Sequence, residues 1–332
     1  MAEAVLVAMW VGVTLYTVFG GADFGAGVWD LLAGRAEPGR PRRALIEQSI
    51  GPVWETNHVW LIFVLVFLWT GFPRAFAPLA STMLIPLTAA ALGIILRGSG
   101  FAFRKTVTTL PLERLFGAAF AISSLLTPFF LGTIAGAVAS GRIPATGAGD
   151  TFRSWSNPTS ALGGGLAVIV CAFMAAVFLA ADASRSGGMV EAGWFRARAL
   201  VTGAVAGGVA MAGIGVLQVD APVLFDGLTG RGLGLVIVSA GGGTATLALL
   251  WYRRYRAARI TAVVAVAAVV WGWAVGQYPW LLVDALEIAD GSGSRATLQA
   301  MLVSLGIGVV LFVPPLLYLL SLAQRGDLAE PR

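Results

Sequence analysis

Apolar residues run along this chain in nine stretches of roughly twenty, each closed by a short polar or proline-bearing break. They lie near 4–33, 52–72, 77–98, 115–139, 159–183, 197–217, 233–252, 258–277 and 298–323. Only helices and closed barrels satisfy their backbone groups in lipid. A barrel would show alternating segments of about ten residues; continuous runs of twice that length predict helices. Pro73, Pro78, Pro111 and Pro158 fall at or beside the predicted helix ends, where a missing N–H costs little. The expected fold is an all-α integral membrane protein with nine transmembrane helices in a single polytopic domain, 1–332. A first four-helix bundle is expected in 1–139, an intervening, peripheral helix at 159–183 and a second four-helix bundle in 197–323. The polar, Gly/Pro-rich stretch 140–158 is expected to be an external loop.

Composition supports that solvent. The chain is 58% hydrophobic and only 12% charged, with 43 glycines and a mean hydropathy of +0.83. Soluble domains carry about 25% charged residues. The net charge of +5 could suggest nucleic acid, but the positions of the charges argue otherwise. Seventeen of the 22 Lys and Arg residues fall in the odd-numbered connections and the C-terminal tail, in groups such as Arg40, Arg42, Arg43 and Arg253, Arg254, Arg256. The positive-inside rule then places the N-terminus outside and the C-terminus in the cytoplasm of a bacterial or archaeal inner membrane. The basic excess is thereby assigned to topology and to contact with anionic lipid headgroups, with no nucleic-acid partner expected. Met1-Ala2-Glu3-Ala4 lacks a basic leader, so the first span is expected to be retained. Cys171 is the one cysteine and sits in an apolar run, which suits inert packing.

Ionisable residues inside spans are costly, and each is a functional candidate by default. Two clusters hold them: Gly20-Gly21-Ala22-Asp23-Phe24-Gly25-Ala26-Gly27 with Asp30 in the first span, and Trp54-Glu55-Thr56-Asn57-His58-Val59-Trp60 opening the second. Asp23 and Asp30 are two turns apart, about 10 Å along one helix face. Asp23 and Glu55 could line one polar track from the cytoplasm as a proton relay; an ion pair to Arg42 or Arg43 is the structural alternative. Gly21 and Gly25 would let another helix approach closely. Glu55-x-x-His58 has the spacing of a di-iron motif, but that site needs two such motifs and further glutamates. His58 is the only histidine, which excludes both that centre and bis-histidine haem ligation within this chain. Arg97, at the expected end of the third span, suits interfacial anchoring. Gly241-Gly242-Gly243 lies mid-span, without the strand-turn-helix context of a nucleotide loop, and suits packing or a kink.

These two clusters resemble subunit II of the cytochrome bd quinol oxidases. In that family the first motif is typically Gly-Phe-Asp-x-Gly and the second Pro-x-Trp-Asp/Glu-x-Asn-x-Val-Trp, here Pro52 to Trp60. Arg42-Arg43, Gln277-Tyr278-Pro279, Ile288-Ala289-Asp290 and Ala296-Thr297-Leu298 are also similar to the family, whose plan has nine helices. The resemblance implies a terminal oxidase that takes electrons from quinol and reduces dioxygen to water. It implies a haem-bearing subunit I with two b-type haems and one d-type haem, and a haem-free subunit II that binds no cofactor itself, save a quinone in some members. Small single-helix accessory subunits accompany some members. A cytoplasmic proton pathway is implied at Asp23 and Glu55, with Asn57 and His58 beside them; Trp54 is a family-motif residue, and Trp60 is associated with the oxygen entrance. Two positions depart from the pattern: Glu55 stands where many members have Asp, and His58 where some have an uncharged polar residue. The rival reading is a stand-alone secondary transporter with Asp23 and Glu55 as coupling carboxylates. A purely structural role for both acids is the third.

Overall fold

The computed structural model describes residues 1–34, 36–50, 54–104 and 110–325. The first apolar run is one bent path: α1 (Ala2–Leu15), a five-residue π-helical segment (Tyr16–Gly20) and α2 (Gly21–Leu31). There follow α3 (Ala36–Ile50), α4 (Trp54–Gly71), α5 (Pro73–Thr82), α6 (Leu84–Arg104) and α7 (Leu110–Ala139). The remainder comprises α8 (Pro158–Arg185), α9 (Met189–Asp220), α10 (Pro222–Thr229), α11 (Leu233–Trp251) and α12 (Tyr255–Gln277). A small hairpin of β1 (Trp280–Leu282) and β2 (Leu286–Glu287), the turn α13 (Ile288–Gly291) and α14 (Arg295–Arg325) complete the chain.

Among the described residues seven helices are long and apolar enough to cross a membrane, and α3 with α4 forms a further pair bent by 50°. This is a multi-pass membrane protein. The third span is displaced from its expected place at 77–98 to 84–103. Pro86 explains the shift. Its ring nitrogen cannot donate to the carbonyl of Thr82, which weakens a helix from Pro73 at the point where the break falls. Met83 leaves the helical region, and Pro86 sits in the first turn of a new helix, where no donor is needed.

The helix expected to be peripheral is the centre of the chain. Every residue of α8 from Cys171 to Ala181 is buried, against α2, α7, α9 and α12. Alanines dominate that stretch, and small side chains let several helices share one neighbour. Glycines bring the backbones together where α7 meets α8. A Cβ on Gly132 would lie 2.3 Å from the carbonyl oxygen of Gly163, and one on Gly136 2.5 Å from that of Thr159. Asn157 accepts from the Ser160 N–H and Pro158 follows it, so α8 starts with a capped first turn. Outside that end, Asp220 accepts from the N–H and hydroxyl of Thr159 and pairs with Arg142 at 2.6 Å. Several sequence expectations lie outside the described residues: Arg35, Pro52, Lys105, Arg332 and the side chains of Trp54, Arg104, Arg114 and Arg325.

Candidate functional site

The π-helical segment is the local event that sets the site. A π turn inserts an extra residue into the helical register, a feature common at functional positions. Here it stacks Tyr16 over Gly20, where a Cβ would meet the phenol ring at 2.9 Å. Immediately afterwards α2 presents its glycine-rich face to α8. A Cβ on Gly25 would lie 1.8 Å from the carbonyl oxygen of Cys171, so only glycine fits. Trp29 Nε1 donates to the Ala172 carbonyl at 2.8 Å and fixes the same contact one turn on. The expectation that this face is a close-packing face matches the geometry, and Cys171 is a buried free thiol at the contact.

That packing buries Asp23, which is 4% exposed. Asn57 Nδ2, from the first turn of α4, donates to Asp23 Oδ2 at 2.5 Å. It also reaches the Phe19 carbonyl at 3.5 Å. On the other side Arg97, 1% exposed, extends from α6: its Nη2 donates to the backbone oxygen of Asp23 at 2.6 Å and its Nε to Ser124 Oγ at 3.2 Å. The guanidinium lies between two rings, 5.0 Å from the centroids of both Phe24 and Phe120. A buried cation needs such partners, because removing it from water costs several kcal/mol. Ser124 Oγ in turn donates to the Phe120 carbonyl at 2.6 Å. Helices α2, α4, α6 and α7 therefore meet at one polar knot inside an apolar bundle.

The remaining candidates take different positions. Glu55 is exposed and has no hydrogen bond or ion pair among the described residues. Helical geometry accounts for this: two residues turn the helix by about 200°, so Glu55 and Asn57 point to opposite sides. The acid of the second motif is thus not brought to Asp23; the amide is. His58 is half-buried, its ring 6.0 Å from Phe24 and 6.2 Å from Tyr16. Trp60 is half-buried and meets Phe63 edge to face at 6.4 Å. The ion pair considered for Asp23 falls instead on Asp30, whose Oδ1 lies 4.0 Å from Arg43 Nε, while Arg42 donates to the Ala33 carbonyl.

The profile of the family described as cytochrome bd terminal oxidase subunit II matches residues 1–323. This chain belongs to that family. Across 97% of its length it superposes on 98% of a chain from the structure of bd oxidase from Geobacillus thermodenitrificans, with a TM-score of 0.81 and 25% identity. It is also 34% identical over 114 residues to cytochrome bd ubiquinol oxidase subunit 2 of Bacillus subtilis (strain 168), covering 34% of this chain. That match spans 33% of the relative's length. In this subunit II fold the polar knot joins the family's glycine motif to its tryptophan motif through the Asp23–Asn57 hydrogen bond.

Arg97 is the residue that sequence reasoning misplaced. Ending the third span near residue 98 made Arg97 an interfacial anchor. With α6 running to Arg104 it lies about two turns inside, fully buried. The signal was available: an intramembrane arginine is a site candidate by default. Tyr16 and Ser124 carried no comparable signal, since hydroxyls are common in spans.

Proposed function

We propose that this chain is the haem-free subunit II of a bd-type terminal quinol oxidase. In this reading it packs against a haem-bearing subunit I that carries two b-type haems and one d-type haem. The complex oxidises quinol and reduces dioxygen to water. Subunit II stabilises its partner and carries a proton path from the cytoplasm, which makes the reaction electrogenic. The observation that carries the reading is the Asp23–Asn57 hydrogen bond, which joins two family motifs in a buried position of a fold matched from residue 1 to 323.

The same reading adopts nine spans in two four-helix groups about α8, with the N-terminus outside and the C-terminus cytoplasmic. Exposed apolar side chains on α4, such as Val59, Ile62, Val66 and Trp69, offer a broad face for lipid or for subunit I. Glu55 opens that helix on the proposed cytoplasmic side, so it suits the mouth of the path, with Asp23 and Asn57 deeper and His58 beside them. Trp60 is proposed at the oxygen entrance. A bound quinone and small accessory subunits are compatible with this arrangement. Haem ligation within the chain fits poorly: it has one histidine, held between Tyr16 and Phe24, and its one thiol is enclosed at a helix contact.

Purification with the neighbouring membrane subunit tests the reading. The expected preparation shows haem absorbance, a second subunit and quinol-dependent oxygen consumption. A haem-free homo-oligomer that moves solute across vesicles would replace it with the transporter reading.

A further inference from the structure

Among the described residues, Tyr16 Oη and His58 Nδ1 are buried side-chain polar atoms with no hydrogen bond, and they belong to neighbouring rings. Their rings are 6.2 Å apart. Phe24 closes a near-equilateral triangle with them, 6.0 Å from His58 and 6.3 Å from Tyr16. Phe24 follows Asp23 directly, so this triangle adjoins the polar knot. A buried donor or acceptor without a partner forfeits the hydrogen bond it had with water. Two such atoms on neighbouring rings, with Phe24 beside both, are what an ordered water would relieve.

We propose that Tyr16 and His58 form a water-binding pair and that it is the next station of the proton path beyond Asp23. The proposal rests on the oxidase reading and adds to it a residue, Tyr16, and a route. The π-helical segment makes this possible. It sets Tyr16 on Gly20, on the approach to Asp23, and Gly20 leaves room for the phenol because it carries no side chain. In the step, the carboxyl group of Asp23 gives up a proton, the water passes one on, and His58 gains one at Nδ1. The count of protons is unchanged and no other reactant is required. The charged or titratable groups acting on Tyr16 are Arg97, Asp23 and Cys171, and Arg97 acts on His58. Glu55, one turn before His58 on α4, points to the exterior. Arg97 is held by the Asp23 carbonyl and Ser124, so it balances charge while remaining in place.

The test uses the purified oxidase complex with all its subunits, in wild-type form and as Tyr16→Phe, His58→Gln and Asp23→Asn. Oxygen consumption with saturating quinol is measured in H2O and D2O, together with haem absorbance. Both Tyr16→Phe and His58→Gln are expected to slow turnover by about a hundredfold, the lower end of what a positioned proton-transfer group contributes. Haem absorbance should be normal and the solvent isotope effect larger than wild type, a change that mere loosening of packing would not produce. Wild-type rate and isotope effect in both variants, with Asp23→Asn slowed, overturns this inference alone. Wild-type behaviour in all three overturns the proton path as well. Should Tyr16→Phe fail to assemble, His58→Gln decides on the same two readouts.

Discussion

Two parts of this membrane domain are equally apolar in sequence and different in construction. Around α2 and α8, helices are fixed on one another by backbone contact and enclose a polar knot. In α9 and α11 they are mostly bare: 6% and 11% of their spanning windows are buried, against 61% for α8. Ionisable groups follow the same division. Arg97 and Asp23 are deep in the first part, and each has hydrogen-bonded partners. Towards the helix ends the ion pairs are more exposed: Asp182 at the end of α8 with Arg259 of α12 at 3.2 Å, and Asp220 at the end of α9 with Arg142. Hydropathy registers transfer into lipid and is blind to what the helix then touches. The difference teaches that the first part supplies the domain's internal cohesion, whereas the second presents surface to lipid or to another subunit.

The sharpest way to break this contrast is at glycine. Gly25→Val places a side chain into the Cys171 carbonyl, and the helices cannot separate without losing the Trp29 bond. A loss of about 3 kcal/mol or more is expected, seen as no assembled protein by fluorescence-detected size exclusion. Nearly as large is the cost of Arg97→Met, which strips partners from the Asp23 carbonyl and Ser124 in a buried setting. Removing one member of such a network costs about 3–5 kcal/mol. Arg259→Met, its counterpart at a helix end, removes a partly exposed pair with Asp182 and should cost less than about 1 kcal/mol. Thermal aggregation of the solubilised complex compares the two, and equal losses would erase the distinction drawn here.

Asp23→Asn tests function with little change of shape. The side chain keeps an oxygen to accept from Asn57, so the assembled amount should be that of wild type while quinol-dependent oxygen consumption falls several-fold or more. Glu55→Gln should have a smaller effect, because Glu55 is exposed and outside the knot. A reversed order would move the proton path to the surface of α4. Gly243→Ala is the smallest change. Open space surrounds that position, and the better helix propensity of alanine favours it by up to about 1 kcal/mol. A marked loss on thermal challenge would mean that this face is covered tightly by another chain.

Much was legible without coordinates because lipid imposes strong rules. A run of twenty apolar residues has few alternatives to a helix, so the existence of most spans followed from the chain itself. The two polar clusters were visible for the same reason: acids and amides are rare at that depth. Boundaries were less certain where apolar runs adjoined. Pro86 divides 73–104 into α5 and α6 through one missing hydrogen bond, which no hydropathy window registers.

The sequence by itself determined that this is a membrane-embedded helical chain with Asp23, Asn57 and His58 among its costly polar residues, and that Gly21 and Gly25 mark a packing face. Tertiary structure alone decided which side chains meet. It gave Asp23 to Asn57 and Arg97 rather than to Glu55, and put α8 at the centre of the chain. It also brought Tyr16 opposite His58. The physical reason is that local sequence sets the cost of burying each group, whereas the partner that offsets this cost comes from another helix. That choice depends on a few glycine contacts and one π-helical turn, which set the rotation and depth of each helix.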